Sequence, residues 1–210
     1  MSATGSRLLA LRGWAAGAGL VALVGLATSP AWPIGDGGPR LVFDPEATEV
    51  TFELGAALHT VNGSADLERG ELVLDLADRT VRGEVVVDAE SARTGKPKRD
   101  RHMHRQVLLS AEHPRIVLRP RSWQGELDLE QDGTVTVRGM LELVGEEHEV
   151  ELPVAVRPEG EDLVTVDFEL EIPYVEWGLE DPSTFLLRVE KTVTVAVRAR
   201  ASLTRAPSLQ

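Results

Sequence analysis

From Leu41 onward, apolar and polar residues alternate in run after run, the period-two pattern of strands with one buried face. Leu41-Val42-Phe43 opens the series and Asp44-Pro45 turns it. Val50, Phe52 and Leu54 then alternate with Glu49, Thr51 and Glu53, in a strand that can run on through Leu58 to Val61. Asn62-Gly63 predicts a hairpin turn. Leu72, Leu74 and Leu76 form the next apolar face, Asp78-Arg79 a turn, and Val85 and Val87 the face after it. In the second half the faces are Ile116 and Leu118; Leu127 and Leu129; Val135, Val137, Leu141 and Leu143; Val150, Leu152, Val154 and Val156; and Val164, Val166, Phe168, Leu170 and Ile172. Turns are expected at Asp132-Gly133, Gly145-Glu146 and Pro158 to Glu161. A loop from Pro173 to Thr184 leads into a closing strand, Phe185 to Ala201, and Gly139 marks a bulge or close approach on an inner face.

The alternation stops once, between Arg93 and Pro114. Gly95 and Pro97 break any strand, and Met103, Val107 and Leu108 then follow helical spacing. One short helix is predicted over Asp100 to Leu109. Asp100 at its front would accept from free backbone N–H groups, and Met103, Val107 and Leu108 would face the core or act as a lid.

About eight long strands, short turns and no repeating βα unit make the chain all-β and antiparallel. Closing eight such strands into a barrel buries the apolar faces and removes exposed edges; a two-sheet sandwich is the alternative. Inward positions are mostly Val and Leu, and aromatic residues are only 4% of the chain. Pattern alone leaves two fillings open: a solid core, or an apolar hollow suited to an aliphatic guest. If there is a hollow, its lining is expected from Phe52, Leu54, Val85, Val87, Leu141, Leu143, Phe168 and Ile172, with Met103 on the helix and Trp177 and Phe185 at the mouth or as a core plug.

Residues 1–31 read as a targeting segment: Arg7 and Arg12, no acidic residue, an apolar run, then Ser29-Pro30-Ala31. That is the layout of a secretory signal peptide, with an uncleaved N-terminal membrane anchor as the rival, so an exported, periplasmic or extracellular protein is expected. Residues 32–40 read as a linker, 41–203 as the domain and 204–210 as a tail. The chain has no cysteine, which excludes disulfides, thiolate chemistry and lipidation at a cysteine. The formal net charge is −12; cleavage after Ala31 removes two arginines and leaves −14. So acidic a protein is repelled by nucleic-acid phosphates and anionic lipid surfaces, and nucleic acid is not expected as a partner. Membrane proximity is expected only through residues 1–31.

No nucleophile elbow or phosphate loop appears, and the carboxylate pairs lie on outward faces, so no enzymatic activity is expected. His102 and His104 lie two apart on the predicted helix and point to different faces, and His59 and His113 are remote in sequence. No metal or cofactor is expected. His148 falls in a predicted turn and reads as solvated. The basic cluster Arg93, Lys96, Lys98, Arg99, Arg101 and Arg105 either lies on an exposed face or holds an anionic head group, with Lys98, Arg99 and Arg101 the candidates.

Four stretches resemble one family. They are Phe43-Asp44-Pro45 with Thr48, Val50 and Phe52; Thr94 with Arg99-Asp100-Arg101-His102-Met103 and His113-Pro114-Arg115-Ile116; Val137 to Leu141 with Gly145 and Val150 to Val154; and Trp177-Gly178-Leu179 with Val193 and Val195. Their order and spacing resemble the YceI-like family of exported, polyisoprenoid-binding bacterial proteins. Departures are Ala47-Thr48 where the family often has histidine-serine, Ala56 where it often has histidine (His59 being nearest), and Tyr174 where it often has arginine. The resemblance implies an eight-stranded lipocalin-like barrel with one inserted helix. It also implies sequestration or transport of an apolar lipid such as a polyisoprenoid, with Arg99 and Asp100 pinning the helix. A ligand-free envelope interaction or stress module, acting through the acidic surface, is the alternative; a lipid-acting hydrolase or isomerase is the third reading.

Overall fold

The computed structural model describes residues 38–56, 60–183 and 188–205. Nine antiparallel strand segments follow in chain order: β1 (Arg40–Phe43), β2 (Glu49–Leu54), β3 (Val61–Asp75), β4 (Thr80–Arg93), β5 (Arg115–Gln124), β6 (Gly133–Leu143), β7 (Glu146–Pro158), β8 (Leu163–Ile172) and β9 (Val193–Thr204). The sheet order is β1-β3-β2-β9-β8-β7-β6-β5-β4, and β3 pairs with β4 to close the ring. Both β1 and β2 lie between β3 and β9, so they are two halves of one broken strand and the barrel has eight strand positions. The break is local chemistry. Pro45 has no N–H to give a ladder, and the chain detours while Asp44 accepts from Glu46 N through its carboxylate and from Thr48 Oγ1 through its carbonyl.

Between β4 and β5 runs α1 (Pro97–His102), followed by a π-helical turn, Met103–Val107. The helix starts earlier than expected because Pro97, a strand breaker, suits the first helical turn, where its missing N–H has no partner to lose. Asp100 is therefore not the capping residue.

Other expectations need correcting. Asn62-Gly63 is not a turn: it lies inside β3, opposite Glu53 and Phe52. A Cβ on Gly63 would overlap the Phe52 ring and come within 2.7 Å of the Arg93 carbonyl oxygen, so here glycine admits a ring rather than a bend. Leu127 and Leu129 belong to the β5–β6 connection, not to a strand. Leu76 is 46% exposed, at the β3–β4 turn. The β6–β7 turn is Val144-Gly145, both with positive φ (52° and 78°), as two-residue hairpins require. The closing strand begins at Val193, after the connection that follows β8; residues 184–187 of that connection lie outside the described residues.

Two of the register shifts re-aim side chains toward the inside. On β3 the register shifts between Leu67 and Arg69; Ala65 and Leu67 face inward before the shift, Leu72 and Leu74 after it. On β5 it shifts between Pro120 and Ser122, which turns Trp123 inward. Gly139 lies opposite Pro120, and a Cβ there would stand 2.5 Å from the Arg119 carbonyl oxygen and 2.8 Å from Pro120 Cα. The expected close approach is thus β5 crossing over Gly139.

Outside, cross-strand ion pairs occupy the polar faces. Arg119 reaches Glu84, Glu142 and Glu147 across the β4–β7 surface, and Arg138 pairs with Glu151. Arg138, Glu147 and Glu151 are exposed and Arg119, Glu84 and Glu142 half-buried, and pairs this open to water contribute no more than about 1 kcal/mol each. Among the described residues no helix is long and apolar enough to cross a membrane.

Candidate functional site

The inward faces converge on a hollow of about 880 Å³ within the barrel, toward the upper end of the roughly 300–1,000 Å³ usual for ligand pockets. The walls are aliphatic and aromatic. Thr48, Thr94, Lys96, Lys98, Arg99, His102 and Tyr174 are the polar residues on them.

The register fixes two ends. At one end are the C-terminus of β4, the N-terminus of β5, the β6–β7 turn and the β8–β9 connection; α1 joins β4 to β5 here. At the far end the β5–β6 connection turns Leu127 and Leu129 onto the wall, beside Trp123 and Val135. Leu129 and Trp123 are buried. The hollow thus has cations at the helix end and hydrocarbon at the other.

Phe52, Leu54, Val85, Val87, Met103, Leu141, Leu143, Phe168 and Ile172 all stand on the wall. So do Lys98 and Arg99. Arg101 is exposed and lies off the wall. Trp177 is off it as well: its ring stacks on His148, with centroids 4.0 Å apart and planes 2° from parallel. His148 is not a solvated turn residue. It sits on β7 opposite Leu141, with Nε2 shielded and without a hydrogen-bond partner. Phe185 and His59 lie outside the described residues, as do residues 1–31. Among the described residues no group of three or more His, Asp or Glu is placed to hold a metal ion.

Several wall residues were not anticipated. Trp123 is hidden by the β5 bulge, which breaks the alternation of Ile116, Leu118 and Pro120. Lys96, extended just before the helix, and His102, one turn on from Lys98 and Arg99, also come to the wall. Tyr174 lines the wall while its hydroxyl donates to the Glu190 carbonyl at 2.8 Å; burial pushes its phenol up to about 12.

A short relay fixes the helix. Arg99 Nε donates to Thr94 Oγ1 at 2.7 Å and Arg99 Nη2 to the Thr94 carbonyl at 3.1 Å. The Thr94 hydroxyl donates to the Asp100 carboxylate, which also accepts from Thr94 N at 2.9 Å. Desolvation pushes the Asp100 carboxyl up, but the Thr94 hydroxyl and amide, Arg99 and the Lys96 amide outweigh it and hold the group below its ordinary 3.8. A depressed carboxylate stabilises the fold above its unfolded pKa and loses that contribution as pH falls through the folded one. Amide exchange protection of α1 should therefore decline as pH drops below about 4. Thr94→Val, which removes the shared hydroxyl, should lower that protection about tenfold at neutral pH, equivalent to about 1–2 kcal/mol, and leave β6–β8 unaffected. Hydrogen exchange read segment by segment checks both; unchanged α1 protection in the variant would mean the relay does not hold the helix.

The YceI-like domain family matches residues 41–201. No curated protein matches. Among solved structures, a polyisoprenoid-binding domain from Saccharophagus degradans, implicated in plant cell wall breakdown, superposes with a TM-score of 0.62 at 18% identity, covering 78% of this chain and 98% of its own. BcnA from Burkholderia cenocepacia gives 0.61 at 14%, covering 75% and 98%. The YceI protein of Campylobacter jejuni gives 0.55 at 13%, covering 69% and 86%. At these identities the likeness is one of fold.

Proposed function

We propose, from the premise that this chain belongs to the YceI-like family, that the barrel binds one apolar chain, of the polyisoprenoid class, and carries or sequesters it in the cell envelope without acting on it chemically. The carrying observation is the hollow of about 880 Å³ with apolar walls and its cations gathered at the helix end. Left without a ligand, a hollow of this size keeps its apolar side chains against water, and an apolar occupant returns that surface to an apolar environment. A wall with so few hydrogen-bonding groups, of which the Thr48 and Tyr174 hydroxyls already donate to backbone carbonyls, rejects sugars and nucleotides, whose polar groups would lose their water without compensation. A hydrocarbon chain loses none, and each buried methylene contributes about 0.8 kcal/mol. Lys98 and Arg99, with Lys96 and His102, suit an anionic head at the chain's end. The polyisoprenoid-binding S. degradans domain supports the ligand class by analogy of fold. The targeting pattern of residues 1–31 supports the envelope.

The test is direct. Protein purified gently from its own host, examined by native mass spectrometry and by organic extraction, should carry one apolar molecule per barrel. Stripped protein titrated with a polyprenol should saturate, with a blue shift in the emission of Trp123, which faces the hollow. An empty barrel that also ignores added polyprenol would overturn the reading and favour an interaction module.

A further inference from the structure

We infer that Trp123 sets the usable depth of the hollow, and with it the length of apolar chain that the barrel accommodates; the inference rests on the chain-binding reading above. Three observations carry it. Trp123 lies near the far end of β5, and its backbone N–H donates to the Arg79 carbonyl in the β3–β4 turn at 3.1 Å. That places it at the end of the barrel opposite α1. The bulge between Pro120 and Ser122 turns its indole inward, so the widest side chain on the wall stands where the hollow ends. It is 5% exposed and is joined there by Leu129 and Val135, also buried wall residues. Without the bulge, strand alternation would present Ser122 at this level, a side chain too small to close the floor.

A chain whose head is held near Lys98 and Arg99 extends away from the helix end toward this indole. Each added methylene that enters the hollow strengthens binding about fourfold. Once the terminal carbon meets the Trp123 ring, further carbons must buckle or remain outside, and the gain per carbon falls toward none. Affinity plotted against chain length should therefore rise steeply and then break.

The experiment uses delipidated full-length protein and a homologous series of straight-chain alkyl phosphates below their micellar concentrations, by titration calorimetry. The wild type should show the break. Trp123→Leu should move it to longer chains. Because loss of a large wall residue can impair folding, Val135→Phe serves as the opposite variant, filling the same floor and moving the break to shorter chains. Confirmation is a displacement in opposite directions. A break that stays in place in both folded variants, or affinity that rises without a break, would sink the role of Trp123 while leaving chain binding intact. Absence of any binding in the wild type would remove the inference together with the reading beneath it.

Discussion

Gly83→Ala is expected to lower the midpoint of thermal unfolding by about 10 °C, although the change adds one methyl group on a strand. Gly83 has φ of +118°, a region that costs an L-residue about 1–3 kcal/mol. The added Cβ would also run into the Glu71 carbonyl oxygen and lie 3.0 Å from the Glu71 carbonyl carbon. Those are backbone atoms of the neighbouring strand, paired through Glu71 opposite Glu84 and Leu72 opposite Gly83, and they cannot swing aside as a side chain would. Overpacking of this kind adds about 1–3 kcal/mol. The sum, about 2–6 kcal/mol, converts at roughly 2–4 °C per kcal/mol for a domain of this size. Gly95→Ala separates the two contributions. Gly95 has φ of +71°, but nothing lies within 4 Å of the point its added methyl would occupy, so that variant should lose only the strain, about 1 kcal/mol. Calorimetry on both variants checks the pair; equal midpoints would mean that β4 gives way at Gly83 and that the bulge between Thr80 and Val85 is soft.

Gly83 also shows where the sequence pattern stops being informative. The faces of β6, β7 and β8 were legible because these strands pair without a register shift, so period two holds from end to end. On β3 and β5 a single extra residue moves every later side chain to the other face. The local signal in Arg119 to Trp123 is Pro120, which inside a strand marks an edge or a bulge; apolar alternation alone does not carry it, and Trp123 is missed with it. Asn62-Gly63 failed for a related reason. The dipeptide suits a tight turn, yet here the glycine makes room for the Phe52 ring from the neighbouring strand, a long-range contact that local propensity does not contain. The helix is visible as a break in alternation, and its Met103, Val107 and Leu108 face lies on the wall as expected; only its start depends on Pro97 being a first-turn residue rather than a breaker. Helical spacing brings Lys98, Arg99 and His102 to the wall and leaves Arg101 off it, while Lys96 reaches the wall from the extended residue before the helix. Local pattern thus located the hydrocarbon wall and the basic segment, while their meeting at one end of the barrel followed only from strand register.

Leu152→Lys tests the property on which the wall's chemistry depends, its dryness. Leu152 is 1% exposed, the least accessible of the large side chains, and stands on the wall opposite Val137. A lysine there with no carboxylate partner is stabilised in the neutral form by desolvation, which can depress the amine from about 10.4 to about 6. The unfolded chain at pH 7 then binds a proton that the folded chain does not, and the difference costs about 4–5 kcal/mol of stability. The direction with pH follows: as pH rises from 7 toward 10 the unfolded chain's advantage fades, and the variant should regain about 1.4 kcal/mol per unit. Denaturant unfolding at several pH values should show that slope, beside a much flatter wild type. The same variant should bind an apolar chain better at high pH, where folding no longer competes against proton uptake. A lysine at this position that left stability near wild type and independent of pH would be charged and hydrated. The hollow would then hold water at this level, and a hydrocarbon chain would have to displace that water and the lysine's hydration to enter it.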